Sequence, residues 1–164
     1  MSGWTSPNHA FDFLLDLRDV VTDAETRGDE TQTLWGLATR TTAAYDAAVV
    51  GGTKDPHKSV LDAYAEQNER LKQLRDRRDE MADLASALLE QMTDEEHRVL
   101  LLARYRFALT WSGVDKALTR RGVALSKGGM WRAHNAALDE ADKIWRDNDY
   151  DNKYRQIKER YGVA

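Results

Sequence analysis

The chain has 164 residues, enough to bury one good core or two small ones, with 41% hydrophobic and 32% charged residues and a net charge of −4. It holds no cysteine, which excludes disulfides and thiolate metal sites and fits a reducing compartment. No stretch approaches ~18 uninterrupted apolar residues, so no membrane-spanning helix is expected.

Only two prolines occur, among abundant Ala, Leu, Arg, Glu and Asp, and alternating apolar-polar runs rich in Val, Ile and Thr are scarce. The expected fold class is therefore all-α. Met1 to Phe11 lacks a cationic segment followed by an apolar block, so a signal peptide is not expected. A soluble protein of the cytoplasm follows as the expectation.

From His9 to Ala24 the residues Phe11, Leu14, Leu15, Leu17, Val20 and Val21 form the apolar face of an amphipathic helix. Thr22–Thr33 is polar and contains Gly28, which predicts a bend or break. Leu34, Trp35, Leu37, Tyr45 and the run to Val50 predict a second helix, weakened by Gly36, Thr39, Thr41 and Thr42. Gly51–Lys54 reads as a linker; it lacks the phosphate-loop spacing and follows no strand.

Asp55 and Pro56 give a clear helix start, an N-cap followed by proline at the first helical position. Apolar residues then recur at 3.5 spacing through Val60, Tyr64, Leu71, Leu74, Met81, Ala85, Leu88 and Met92, with Gln67 and Arg78 on the same seam. One helix of this span would be ~55 Å long and needs a partner. Either the N-terminal helices supply it as a hairpin, or a second chain does through the 56–92 helix as a homodimer, the hairpin being slightly favoured. The charges at Arg75–Asp83 read as a solvated face with i,i+4 pairs.

Thr93–Glu96 has the form of a capping box opening a helix with Val99, Leu100, Leu102, Ala103 and Phe107. Thr110 is the expected cap of the next helix, with Trp111, Val114, Ala117 and Leu118 facing inward. Arg121-Gly122 ends it. Ser126 caps a further helix carrying Met130, Trp131, Ala133, Ala137, Leu138, Ala141 and Trp145. From Asn148 a charged tail follows, with a short helix around Tyr154–Tyr161. The expected division is a helical arm over 1–92, a helix-turn-helix domain over 93–147 and the tail over 148–164.

Charge reverses inside that domain. Between Ala103 and Asn135 stand Arg104, Arg106, Lys116, Arg120, Arg121, Lys127 and Arg132 against Asp115 alone, a net +6 that leaves −10 for the rest of the chain. A basic island on an acidic protein calls for a polyanion, and double-stranded DNA is the obvious one. Trp111–Arg121, the turn 122–125 and Ser126–Trp145 supply the two helices and turn of a helix-turn-helix in order. Met130, Ala133 and Ala137 are placed toward the core. Ser126, Lys127, Trp131, Arg132, His134 and Asn135 remain to contact bases or nearby phosphates. Arg104, Arg106, Lys116, Arg120 and Arg121 are the phosphate candidates. Indoles such as Trp111 and Trp131 are more often core residues than base-stacking platforms. The glycine pair Gly128-Gly129, costing ~1 kcal/mol each in a helix interior, predicts a reading helix that starts later or orders on DNA.

The string Thr93–Trp145 also resembles a family, the phage-encoded transcriptional regulators of the ArpU and RinA type, whose C-terminal domain is similar to a promoter-reading domain of sigma factors. The matching features are Glu95–Leu102, Ala103-Arg104-Tyr105, Thr110-Trp111, Val114, Leu118, Ser126, Arg132, His134 and Ala137-Leu138. The preceding long polar helix matches too. The turn from Leu118 to Ser126 is about two residues longer than the pattern. The resemblance implies a transcriptional regulator in a bacterial host cell, with host RNA polymerase as a possible partner.

His9, His57, His97 and His134 are too scattered for a metal site, and no cofactor or enzymatic centre is expected. Two other classes remain open. One is a DNA-packaging protein like small terminase subunits, which assemble as rings; the other is a helical adaptor whose basic island meets an acidic protein.

Overall fold

A computed structural model of the protein describes the backbone of residues 8–47 and 56–163, and the side chains of residues 8–40 and 58–163. The described residues form six helices and no strand: α1 (His9–Ala47), α2 (Pro56–Glu90), α3 (Glu95–Leu101), α4 (Trp111–Arg120), α5 (Lys127–Asp147) and α6 (Tyr150–Arg160). A π-helical turn at Leu102–Arg106 continues α3. The fold is all-α, and no described helix is long and apolar enough to cross a membrane. The linker Gly51–Lys54, the cap Asp55 and the end of the run at Val50 lie outside the described residues.

Two compact units emerge from the contacts. One is Asp23–Asp76; the other joins the chain up to Thr22 with everything from Arg77 onward. This second unit draws together segments that boundaries at 92 and 147 would assign to three different parts. Its core holds Phe13, Leu14 and Leu17 of α1, Met81, Ala85 and Leu88 of α2, and Leu138, Ala141 and Trp145 of α5, all at most 1% exposed. The expected tail belongs to it as α6, which buries Tyr150, Tyr154 and Ile157 at i, i+4 and i+7. Tyr154 and Tyr150 lie edge-on to Trp145, and the Tyr154 hydroxyl donates to Asp16. Burial, and then the Asp16 carboxylate, raises the Tyr154 phenol above its ordinary range.

The start of α1 is fixed by residues distant in sequence. Asn8 caps it, its Oδ1 accepting from Phe11 N–H at 2.8 Å while its Nδ2 donates to Leu138 O at 3.2 Å. The buried carboxylate of Asp142 on α5 accepts from His9 N–H at 3.0 Å and Ala10 N–H at 3.4 Å. These are donors that a helix leaves unpaired in its first turn. Asp142→Ala is therefore expected to cost about 2 kcal/mol in a denaturant titration, whereas exposed Asp147→Ala on the same helix changes little. Equal effects of the two would remove Asp142 from this role.

Within Asp23–Asp76, α1 and α2 run antiparallel. Trp35 and Tyr64 pack with ring centroids 5.0 Å apart, and a Cβ placed on Gly28 would stand 3.4 Å from the Arg75 guanidinium. The expected break near Gly28 is absent: α1 is one helix from His9 to Ala47. Thr31, Thr33 and Thr39 return their hydroxyls to the carbonyls of Arg27, Asp29 and Trp35 at 2.7–3.0 Å, so these side chains join the helix instead of competing with it. Packing along α2 supplies what propensity lacks. Part of the seam on α2 is covered inside the chain, by Trp35 at Tyr64 and by burial of Leu71, as the hairpin alternative has it, while Val60 and Leu74 are only half-buried. The charges between Arg75 and Asp83 pair differently from expectation: Arg78 bonds its neighbour Asp79 at 3.0 Å, and Glu80 meets Arg160 of α6.

Candidate nucleic-acid interface

Local caps and turns position α3, α4 and α5. Asp94 caps α3 by accepting from His97 N–H at 3.1 Å. The cap is one residue later than the expected capping box, because Thr93 turns its N–H and hydroxyl to Glu140 of α5 at 2.8 and 3.1 Å. Burial opposes ionisation of Glu140, yet the bonds from Thr93 and His97 hold its carboxyl below the usual range. After the π turn, Ala108 takes φ 53, a left-handed conformation that reverses the chain. Thr110 then caps α4, accepting from Gly113 N–H at 3.2 Å.

α4 closes in a Schellman motif. Gly122 has φ 81, its N–H reaches Thr119 O at 3.0 Å, and Val123 N–H reaches Leu118 O at 3.0 Å. Ser126 caps α5 by accepting from Gly129 N–H at 3.0 Å. The helix expected to start later or to order on DNA therefore starts at Lys127, with Gly128 and Gly129 already inside it. Their cost is reduced there, since the first turn has no complete set of helical bonds to lose. A Cβ on Gly129 would lie 3.1 Å from the capping Ser126 Oγ, so the small residue suits the cap.

α3 packs against both α4 and α5, and the π turn packs on α4. The inward side of α4 is Val114 and Leu118, both buried. On α5 every buried residue lies at or beyond His134. Residues 127–133 form almost two turns with no buried side chain. The expected inward positions of Met130 and Ala133 are only partly covered for this reason.

The expected contact residues divide into groups. Ser126, Lys127, Trp131 and Arg132 are exposed on or beside the first turns of α5, and Asn135 is half-buried behind them. Lys116, Arg120 and Arg121 are exposed on α4 and its end, with Arg121 3.3 Å from Glu95. Arg106 is half-buried, its guanidinium 5.5 Å from the Phe107 ring. Arg104 is committed to the fold: it donates to Leu109 O at 3.0 Å and lies 4.4 Å from the centroid of Trp111. Burial, and then Arg18, lowers its pKa from the ordinary arginine value.

His134 is a correction. It is buried at 4% exposure and cannot reach DNA. Its Nε2 shares a 2.5 Å hydrogen bond with the Tyr105 hydroxyl, and its ring meets Phe11, Trp111 and Trp131. Burial, and then the Arg104 charge, lowers it to about 4, so the imidazole is neutral at pH 7. Burial likewise pushes the Tyr105 phenol up to about 12. This pair joins the π turn to α5 across 29 residues of sequence, and neither residue carries a local sign of it.

The two tryptophans correct the opposite expectation. Trp111 is 37% exposed and Trp131 62% exposed, so neither is core. They line a concavity of 510 Å³ between the leading turns of α4 and α5, with Met130 and Leu125 as its apolar remainder and Asp115 and Lys127 as its charges. The long turn between the helices gives this space room. The indoles stand at 89° and 34° to the same imidazole, so their planes are inclined to each other by at least 55°.

Comparison with known proteins finds no matching family model, curated protein or solved structure.

Proposed function

We propose that this protein is a sequence-specific DNA-binding regulator of transcription that presents the first two turns of α5 to the major groove. The carrying observation is that residues 127–133 hold no buried side chain while Lys127 and Arg132 project from them. Exposed Lys116 and Arg120 on α4 add positive charge to the same helix pair for phosphate. The capped helix, αL-glycine stop and second capped helix are the arrangement a helix-turn-helix requires. The resemblance to phage regulators supports the same reading and suggests action in a bacterial host cell. On the Asp23–Asp76 unit, Trp35 is 50% and Leu37 45% exposed, which suits contact with a protein such as RNA polymerase.

The test is fluorescence anisotropy with DNA fragments selected from the source genome, repeated over a salt series. Lys127→Ala and Arg132→Ala should each weaken specific binding by about 1–3 kcal/mol, and log K should fall steeply with log salt. Unchanged affinity in both variants would sink the assignment of α5. A ring of many subunits by light scattering would favour packaging instead.

A further inference from the structure

We infer that the concavity between α4 and α5 is a nucleobase site, which receives one unstacked base of the bound DNA with its face on Trp131. The inference rests on the DNA-binding reading above and goes beyond groove reading. In a paired duplex the bases offer only their edges, and their faces are hidden by stacking. An indole finds a π face to cover only when a base has left the stack.

Three observations point to that occupant. The Trp131 ring is 62% exposed on the second turn of α5, among the residues that would enter the groove. Beside it lies a 510 Å³ space, within the roughly 300–1,000 Å³ of small-ligand sites and ample for one purine. The steep inclination of the indoles excludes a sandwich between them; it leaves Trp131 as a platform and Trp111 as a side wall.

Charge completes the fit. Asp115, the one acid of the basic island, lines the cavity. A carboxylate repels phosphate but accepts from base N–H groups, and guanine offers two parallel donors on its pairing edge. Lys127 at the same cavity supplies a cation for the adjoining phosphate. Apolar Met130 and Leu125 complete a lining that suits a flat ring.

The experiment compares two duplexes of one sequence, one fully paired and one with a central unpaired guanine, binding the full chain and its Trp131→Ala variant at low salt. The duplex with the unpaired guanine should bind about ten-fold tighter and quench tryptophan emission more strongly. Trp131→Ala should remove that preference, so that the variant binds the two duplexes alike whatever its affinity for paired DNA. Equal binding of both duplexes, or a preference that survives in Trp131→Ala, overturns the nucleobase site and leaves the DNA-binding reading intact. Absence of binding to either duplex overturns both.

Discussion

Trp145→Ala is expected to lower the unfolding free energy by about 3–5 kcal/mol, a large share of the roughly 5–15 kcal/mol that stabilises a domain. Trp145 is fully buried and joins three helices. Its ring lies 4.9 Å from Phe13 of α1 and 5.6 and 6.1 Å from Tyr150 and Tyr154 of α6. Its Nε1–H donates to Asp151 Oδ1 at 2.7 Å. Truncation opens a cavity that none of these rings can fill without leaving another contact, and Asp151 loses a donor. Trp145→Phe keeps most of the packing and should cost about half as much or less. Urea unfolding followed by far-UV circular dichroism checks both. A loss below about 1 kcal/mol in the alanine variant contradicts the aromatic core described here.

Acidification should destabilise the protein through His134. The unfolded chain binds a proton near pH 6.5, whereas the folded imidazole resists it down to about 4. The folded state then holds fewer protons, so stability from this residue is complete above pH 6.5 and is lost as pH falls toward 4. The loss is about 2 kcal/mol by pH 5 and about 3 kcal/mol by pH 4. Geometry gives the same sign. Nδ1 is buried with no hydrogen-bond partner, and the Arg104 charge acts on the ring, so a second N–H would find a repelling cation and no acceptor. Unfolding free energy measured from pH 7.5 to 4.5 should show a steeper slope in the natural protein than in His134→Gln. Comparing slopes cancels the contributions of the other histidines. Parallel profiles would show that His134 titrates alike in both states.

What could be read from the chain was mostly local. The Thr110 and Ser126 caps and the Gly122 stop are short-range devices, and each has its expected geometry. His134 was not legible, because a polar residue on a charged helix resembles a surface residue until Tyr105 is brought beside it. Asp142 belongs with it: the N–H groups it receives lie more than a hundred residues away. The continuity of α1 across Gly28 was hidden for a related reason, since local propensity favours a break and only packing on α2 opposes it. In α6 the signal existed: Tyr150, Tyr154 and Ile157 fall on one helical stripe. The expected short helix around Tyr154–Tyr161 overlaps α6, but the surrounding charge hid its earlier start at Tyr150 and its burial. The exposure of Trp111 and Trp131 depends on α5 burying no residue before His134, which no window of sequence reports.

The division of the chain at Thr22 and Arg77 also bears on how the molecule assembles. The unit carrying α4 and α5 is built from two stretches that flank the Asp23–Asp76 hairpin. To that unit the hairpin is one long internal loop, and a loop that folds on itself brings its own ends together. Pairing of α1 with α2 thus lowers the closure entropy that the flanking stretches would otherwise face. Topology of this kind places many contacts late, since Phe13 must wait for Trp145 and Asp16 for Tyr154. Slow folding, with the hairpin forming first, is the kinetic signature it implies. Shortening both helices of the hairpin by matched turns should therefore alter the folding rate more than the final structure of the remainder.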